Sequence, residues 1–295
     1  MRINSSKNEK YRILVFGANG MIGHMILDYF SAQKNIEVIG LVRTLAKDFK
    51  NKANFIEEKN FLDKNVIRKL IYNFSPDLVI NCVGIVKQSP EIKNIEKSFY
   101  LNSFFPKLLN QICNNYDIRF LTFGTDCVFK GSKGFYNEND IVDSDEIYGI
   151  SKYLGEVNDF KNSITLRTSF IGKELNYKRG LLEWFILQSK LKKKVYGFSN
   201  AIYSGLPTIE IAKIIHKYII PNPSLSGLYH LSAEPIDKYS LLNLIKKTYS
   251  IDIKLYKDYD NVIDRSLDST KFKSDTGFAP QSWEQLVKTM FMHNL

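Results

Sequence analysis

Cysteine is scarce in this 295-residue chain, and the little there is has no pattern. Cys82, Cys113 and Cys127 are odd in number and lack CxxC spacing, which speaks against both a disulfide framework and a zinc site. All three read as reduced thiols, mostly buried. Histidine is equally sparse: His24, His216, His230 and His293 show no ligand spacing and no nucleophile partner, so no metal is expected. Long apolar runs are missing as well. Met1 to Lys10 is polar, and the apolar run Ile13–Phe16 stops at Gly17, far short of a signal-peptide core or a membrane span. A cytoplasmic protein with no membrane partner is the expectation. Neither an internal repeat nor a low-complexity linker interrupts the chain.

What is present is enough apolar material, 44% of residues, to bury one large core or two packed lobes. The formal charge of +10 suits an anionic partner. Its densest stretch, Lys190, Lys192, Lys193 and Lys194, ends an apolar-periodic segment (Leu181, Leu182, Phe185, Ile186), where cations complement a helix dipole. A solvated helix end explains that run better than nucleic acid does, and a phosphate-rich small ligand accounts for part of the excess.

Short β-branched runs alternate with helix-length segments: Arg12–Phe16, Glu37–Val42, Leu78–Val83, Arg119–Phe123 and Ile164–Leu166. This βαβ rhythm predicts an α/β fold with a doubly wound parallel sheet of Rossmann type, its ligands lying beyond the carboxyl ends of the strands. Asp77–Gly84 is almost continuously apolar after Ser75-Pro76, as a strand buried on both faces should be. From about Thr168 the rhythm changes. The expected division is a dinucleotide-binding domain over 1–167, to which 201–220 returns, and a smaller α/β substrate-binding lobe over 168–295.

Gly17-Ala18-Asn19-Gly20-Met21-Ile22-Gly23 follows a strand and opens an apolar-periodic helix, the context that a dinucleotide fingerprint requires. Gly17 would make the tight turn, Gly20 would let the backbone approach a pyrophosphate, and Gly23 would allow close helix–strand packing, with the helix amides facing the anion. Where an acid would grip the ribose 2′-hydroxyl of NAD, the second strand ends in Arg43. A guanidinium there favours a 2′-phosphate, hence NADPH over NADH, and Lys47 could assist.

Tyr148-Gly149-Ile150-Ser151-Lys152 places a phenol and an ammonium on one face of a helix. A phenol with a pKa near 10 is a poor acid–base at neutral pH, and a neighbouring cation is expected to bring it toward the working range. Together with the glycine loop upstream, this pair resembles the extended short-chain dehydrogenase/reductases, most closely the dTDP-4-dehydrorhamnose reductase branch. The resemblance runs from Arg12 to about Met290 and includes Asn81-Cys82-Val83-Gly84, Thr125-Asp126-Cys127-Val128-Phe129, Gly205-Leu206-Pro207-Thr208 and Arg265-Ser266-Leu267-Asp268-Ser269.

The resemblance implies that Tyr148 donates a proton, Lys152 binds the nicotinamide ribose and Thr125 bonds the substrate oxygen. It further implies that Asn81, Val83, Gly84, Asn60, Phe61 and Asn102 serve the cofactor, beside Gly17, Asn19, Gly20, Met21, Ile22, Gly23 and Arg43. Asp126, Cys127, Trp184 and Arg265 would meet the substrate, a nucleotide-linked 4-keto-6-deoxyhexose, with Arg265 facing the diphosphate or pairing with Asp268. Tyr203 and Tyr229 could stack on a base or pack in the core. A homodimer is compatible with this reading. Two departures matter: Gly124 stands where the branch usually has serine, and Cys127 where it has an aromatic. They leave the sugar and nucleotide open, a UDP-linked 2-acetamido-4-keto sugar included. Cys127 also replaces the glutamate that a 4,6-dehydratase needs. The remaining rivals to a reductase are an epimerase and a non-catalytic, cofactor-binding regulatory subunit.

Overall fold

In the computed structural model, which describes residues 10–45, 54–175 and 178–294, the β-branched runs become neighbours in one parallel sheet. Lys47 lies outside the described residues. The first half runs β1 (Tyr11–Phe16), α1 (Met21–Ser31), β2 (Ile36–Val42), β3 (Phe55–Glu57), α2 (Lys64–Phe74), β4 (Leu78–Asn81), α3 (Ile95–Phe99), α4 (Phe105–Asn115), β5 (Arg119–Phe123), α5 (Ile147–Leu154) and β6 (Ser163–Arg167). Next come β7 (Phe170–Ile171), α6 (Leu181–Lys190), β8 (Val195–Phe198), β9 (Ala201–Tyr203), β10 (Leu206–Pro207), α7 (Thr208–Ile214) and β11 (Gly227–His230). The chain closes with β12 (Ile236–Asp237), α8 (Lys238–Thr248), β13 (Leu255–Asp258), β14 (Ile263–Asp264), α9 (Thr270–Thr276) and α10 (Trp283–Asn294).

The main sheet has seven strands in the order β11-β6-β5-β4-β1-β2-β3, all parallel. Strand order reverses between β1 and β4, so the crevice beyond their carboxyl ends is the topological switch point. Both faces are covered. Ile13 and Val15 of β1 join Leu78, Ile80 and Leu121 in one core, while Leu14 and Phe16 join Val79 and Phe120 in the other. Each such side chain, fully withdrawn from water, contributes about 1.5–3 kcal/mol, which is why these strands read as unbroken apolar runs.

Local signals set the element ends. The Asp63 carboxylate caps α2 by accepting from the backbone N–H groups of Asn65 and Val66, and α2 stops at Ser75, whose φ of 45° is left-handed, just before Pro76. Two strands escape the sequence pattern. One is the three-residue edge strand β3. The other is β11, which lies in the segment expected to belong to the smaller lobe but pairs with β6 to form the other edge of the main sheet. Within 201–220, α7 packs on α1, and the following helical turn brings His216 to 3.0 Å from the Tyr29 hydroxyl. Residues 201–203, by contrast, form the middle strand of a small sheet, β12-β9-β14. No described helix is long and apolar enough to cross a membrane.

The end of β6 is tied down by a buried charge network. Arg167 meets the Glu156 carboxylate through two hydrogen bonds of 2.6 and 2.7 Å, and both side chains are almost fully buried. The same guanidinium lies 3.3 Å from His230 Nε2, while His230 Nδ1 lies 2.8 Å from the Tyr136 carbonyl. A guanidinium can only donate and a carbonyl can only accept, so this ring carries its proton on Nδ1 and is neutral. Burial, then the Arg167 charge, depresses the His230 pKa to about 3. Between that value and the usual 6.5 the unfolded chain binds more protons than the folded one, so stability falls as pH drops through this window. The His230→Asn variant should lose less stability than the wild type between pH 6.5 and 4, as measured by denaturant unfolding across that range.

Candidate active site

Every loop leaving the carboxyl end of β1, β2, β4, β5 and β6 opens on one cleft of 1430 Å³, with the small lobe as its far wall. That volume exceeds the roughly 300–1,000 Å³ of a pocket for one small ligand, and is large enough for a cofactor and a substrate side by side. The loop after β1 sits at one end. Gly17 has φ +78°, and a Cβ there would lie 2.9 Å from Cys82 C and Val83 N, while one at Gly23 would lie 2.3 Å from the Gly17 carbonyl oxygen. Neither position tolerates a side chain. Gly20 meets nothing nearer than 3.4 Å, so its bareness leaves room on the cleft side.

Gly17, Asn19, Gly20 and Met21 line the cleft, whereas Ile22 and Gly23 are turned into the packing of α1. The Asn19 amide donates to the Thr44 carbonyl (2.6 Å) and thereby links this loop to the end of β2, leaving its own buried Oδ1 without a partner among the described residues. Exposed Arg43 stands beside it on the rim, and Phe61, Val83 and Gly84 continue the wall.

Three further residues expected at the cofactor are also off the cleft surface. Asn60 is exposed on a turn and does not reach the cleft. Asn81 is buried behind the wall, where its amide donates to Thr122 Oγ1 (3.1 Å) and its Oδ1 accepts from Val83 N (3.1 Å). Asn102 is buried too, donating to the Ile85 carbonyl and Ser151 Oγ (both 3.0 Å) and accepting from Ile85 N (2.8 Å). Both amides shape the loop after β4 instead of facing a ligand, because an unpaired loop backbone at this depth would cost about as much as each lost hydrogen bond.

Thr125, Asp126, Cys127 and Tyr148 come together at the other end of the cleft. A Cβ on Gly149 would stand 2.2 Å from the Cys127 carbonyl oxygen, so the glycine after Tyr148 is what lets α5 begin under this loop. Burial, then the nearby Cys127 thiol, holds the Tyr148 phenol above its ordinary pKa, and a hydrogen bond with the Thr125 hydroxyl works against them. Lys152 is not on the cleft surface. Its ammonium donates to the Phe123 carbonyl (2.6 Å), and burial, opposed by the Glu156 carboxylate, draws its pKa down to about 8. The sequence expectation that Lys152 lowers the Tyr148 pKa is therefore reversed: a dry pocket keeps the phenol protonated, the form that can donate a proton.

The opposite wall carries Trp184, Tyr203, Lys238 and Arg265. Arg265 is set by strand-like pairing of 264–268 with the loop after β5, in which Asp264 N donates to the Gly131 carbonyl and Tyr136 N to the Ser266 carbonyl. Its guanidinium reaches Glu146 Oε1 (3.1 Å) and Cys127 Sγ (3.4 Å), not Asp268, and Glu146 also binds Lys87. Tyr229 lies away from the cleft in β11, donating to Asp275. Lys87, Glu146 and Lys238 were missed by sequence reasoning. The one available signal was the proximity of Glu146 to Tyr148; Lys238 had none.

A family model described as the RmlD substrate binding domain matches residues 11–295. The chain belongs to this family. It is 24% identical over 293 residues, covering 94% of this chain and 95% of the relative, to the spore coat polysaccharide biosynthesis protein SpsK of Bacillus subtilis. It is 27% identical over 249 residues to the methionine adenosyltransferase 2 subunit beta of Danio rerio, covering 81% of this chain and 74% of that one. Among solved structures, the dTDP-4-dehydrorhamnose reductase of Bacillus anthracis in complex with NADP superposes with a TM-score of 0.80 at 18% identity, covering 96% and 99% of the two chains. WbmG of Bordetella bronchiseptica in complex with NAD superposes with a TM-score of 0.77 at 16% identity, covering 97% and 94%. These likenesses establish the Rossmann-like fold of the extended short-chain dehydrogenase/reductases.

The thiolate form is disfavoured at all three cysteines. Burial pushes the Cys127 pKa up to about 12 and raises those of Cys82 and Cys113 as well. The thiolate is the reactive form, so none of the three should be alkylated by iodoacetamide at pH 7.5 in the folded protein, while all three should be labelled in denaturant, as read by intact mass.

Proposed function

We propose that this protein is an NADPH-dependent reductase that converts the keto group of a nucleotide-linked 4-keto-6-deoxyhexose, carrying a dTDP or UDP nucleotide, to a hydroxyl in surface-polysaccharide precursor synthesis. The observation that carries this reading is the joining, in one cleft, of the bare glycine loop after β1 with Thr125 and a protonated, desolvated Tyr148. A dinucleotide fits the residues present. The space at Gly20 and the exposed Arg43 at the end of β2 would hold the pyrophosphate and a 2′-phosphate, the unpartnered Asn19 Oδ1 would accept from a ribose hydroxyl, and Phe61, Val83 and Gly84 would lie along its length.

When bound, the nicotinamide supplies hydride to the keto carbon. Tyr148 gives its proton to the oxygen that becomes negative, and the Thr125 hydroxyl holds that oxygen in place. Because its phenol is raised by burial, Tyr148 enters the reaction protonated at neutral pH. Lys152 fixes the end of β5 through the Phe123 carbonyl. The low-dielectric surroundings that raise the phenol also strengthen each of these interactions.

A non-catalytic, cofactor-binding role is the second reading, favoured by the similarity to the methionine adenosyltransferase 2 subunit beta. NADPH oxidation over a panel of freshly made dTDP- and UDP-linked 4-keto-6-deoxysugars separates the two. Turnover is expected with at least one member, and Tyr148→Phe should lower kcat by about 10²–10⁴-fold with little change in NADPH affinity. Tight NADPH binding with no turnover on any member would overturn the reductase reading. In the same assay Arg43→Glu should reduce the preference for NADPH over NADH by about tenfold or more, since a charge-assisted contact to the 2′-phosphate is worth about 1.5–3 kcal/mol.

A further inference from the structure

The small sheet β12-β9-β14 does more than close the cleft. Ile202 of β9 pairs with Asp237 on one side and Asp264 on the other, so the residues that follow each partner, Lys238 and Arg265, emerge on either flank of β9. Both line the cleft opposite Asp126 and Cys127. Lys238 is the first residue of α8, whose start is fixed by the Asp237 carboxylate accepting from Ser240 N (2.9 Å).

A lysine is an unfavourable choice at this place on structural grounds alone. The amides of a helix N-terminus carry positive partial charge, which repels an ammonium in the first turn. Lys238 is also largely withdrawn from water, which depresses its pKa, with Asp126 as its foremost opposing charge. It has neither a hydrogen-bond nor an ion-pair partner among the described residues. The hydroxyl of Tyr203, another residue lining the cleft, is buried with no partner among the described residues, and its ring is held against Trp283 at 5.8 Å. Among the described residues, the Asp126 carboxylate accepts only the neighbouring Thr125 hydroxyl, at 3.2 Å. A donor, an acceptor and a group that can do either thus line the cleft that Tyr148 also lines, and none of them is paired with another among the described residues.

We propose that Lys238, together with Asp126 and Tyr203, recognises a pyranose hydroxyl beside the reacting carbon. The hydroxyl donates to Asp126 and accepts from Lys238, and Tyr203 completes the set from below. This rests on the reading of the cleft as a sugar-nucleotide site, and it assigns to the small lobe the choice of sugar, separate from the grip on the nucleotide. Lys238 is thereby a specificity residue that touches the sugar and leaves cofactor and nucleotide binding to other groups.

Calorimetric titration of the NADP-loaded protein tests the assignment with four probes: dTDP, UDP, dTDP-rhamnose and UDP-N-acetylglucosamine. The wild type is expected to bind at least one sugar-nucleotide more tightly than its bare nucleotide. Lys238→Met should weaken that sugar-nucleotide by about ten- to a hundredfold, leave the bare nucleotide and NADP within about twofold, and so erase the discrimination. Lys238→Arg should recover part of it, and unchanged NADP affinity in both variants shows that the fold is intact. If the wild type discriminates and Lys238→Met discriminates equally, the role of Lys238 is refuted while the reading of the cleft stands. If the wild type binds no sugar-nucleotide better than its bare nucleotide, both fall.

Discussion

The structure depends on how closely the loops after β1 and β4 can approach each other. Phe16 and Asn81 are register partners, so the chain must turn away from β1 with its backbone against Cys82 and Val83. Only a residue without a side chain, in a left-handed conformation, fits at Gly17, and Gly23 must be equally bare for α1 to close over that turn. This contact places the start of α1 and the loop after β4 on one wall. Asn81 and Asn102 then hold that wall from behind, through Val83 and Ile85.

The second half of the chain is bound to the first by strand pairing and buried charge more than by a linker. β11 extends the main sheet at β6, Arg167 at the end of β6 joins Glu156 to His230, and 264–268 pairs with the loop that follows β5. Removing one member of a buried pair such as Glu156–Arg167 leaves a stranded charge at a cost of about 3–5 kcal/mol, so this seam ties the second half of the chain firmly to the end of β6. Arg265 and Lys238 are brought to the cleft by the pairing of β14 and β12 with β9.

The active end shows how burial directs chemistry. The Tyr148–Lys152 spacing suggested a cation acting on a phenol. In the folded chain the ammonium is engaged by the Phe123 carbonyl, and the loss of water governs both groups, raising the phenol and lowering the amine toward 8. Desolvation keeps the phenol in its protonated form, while Lys152 is held by the Phe123 carbonyl.

Periodicity and motif spacing determined the parallel sheet and the glycine loop, because each is a local pattern written in strand runs, turn residues and helical spacing, whereas the meeting of Thr125 with Tyr148 was implied only by the family resemblance. The sequence could not tell a cleft-facing amide from a buried one: Asn81 and Asn102 look like ligand groups until the fold shows their hydrogen bonds going to backbone groups of the loop after β4 and to the buried Thr122 and Ser151 hydroxyls. β3 and β11 were too short to stand out, and their membership in the sheet rests on pairing with β2 and β6. Lys238 was invisible for the same reason. It lies more than a hundred residues from Asp126, and only the pairing of β12 with β9 brings them face to face. Local geometry is encoded in neighbouring residues, whereas burial, pKa and the opposition of two walls arise from contacts distant in the chain, and only the tertiary structure decides those.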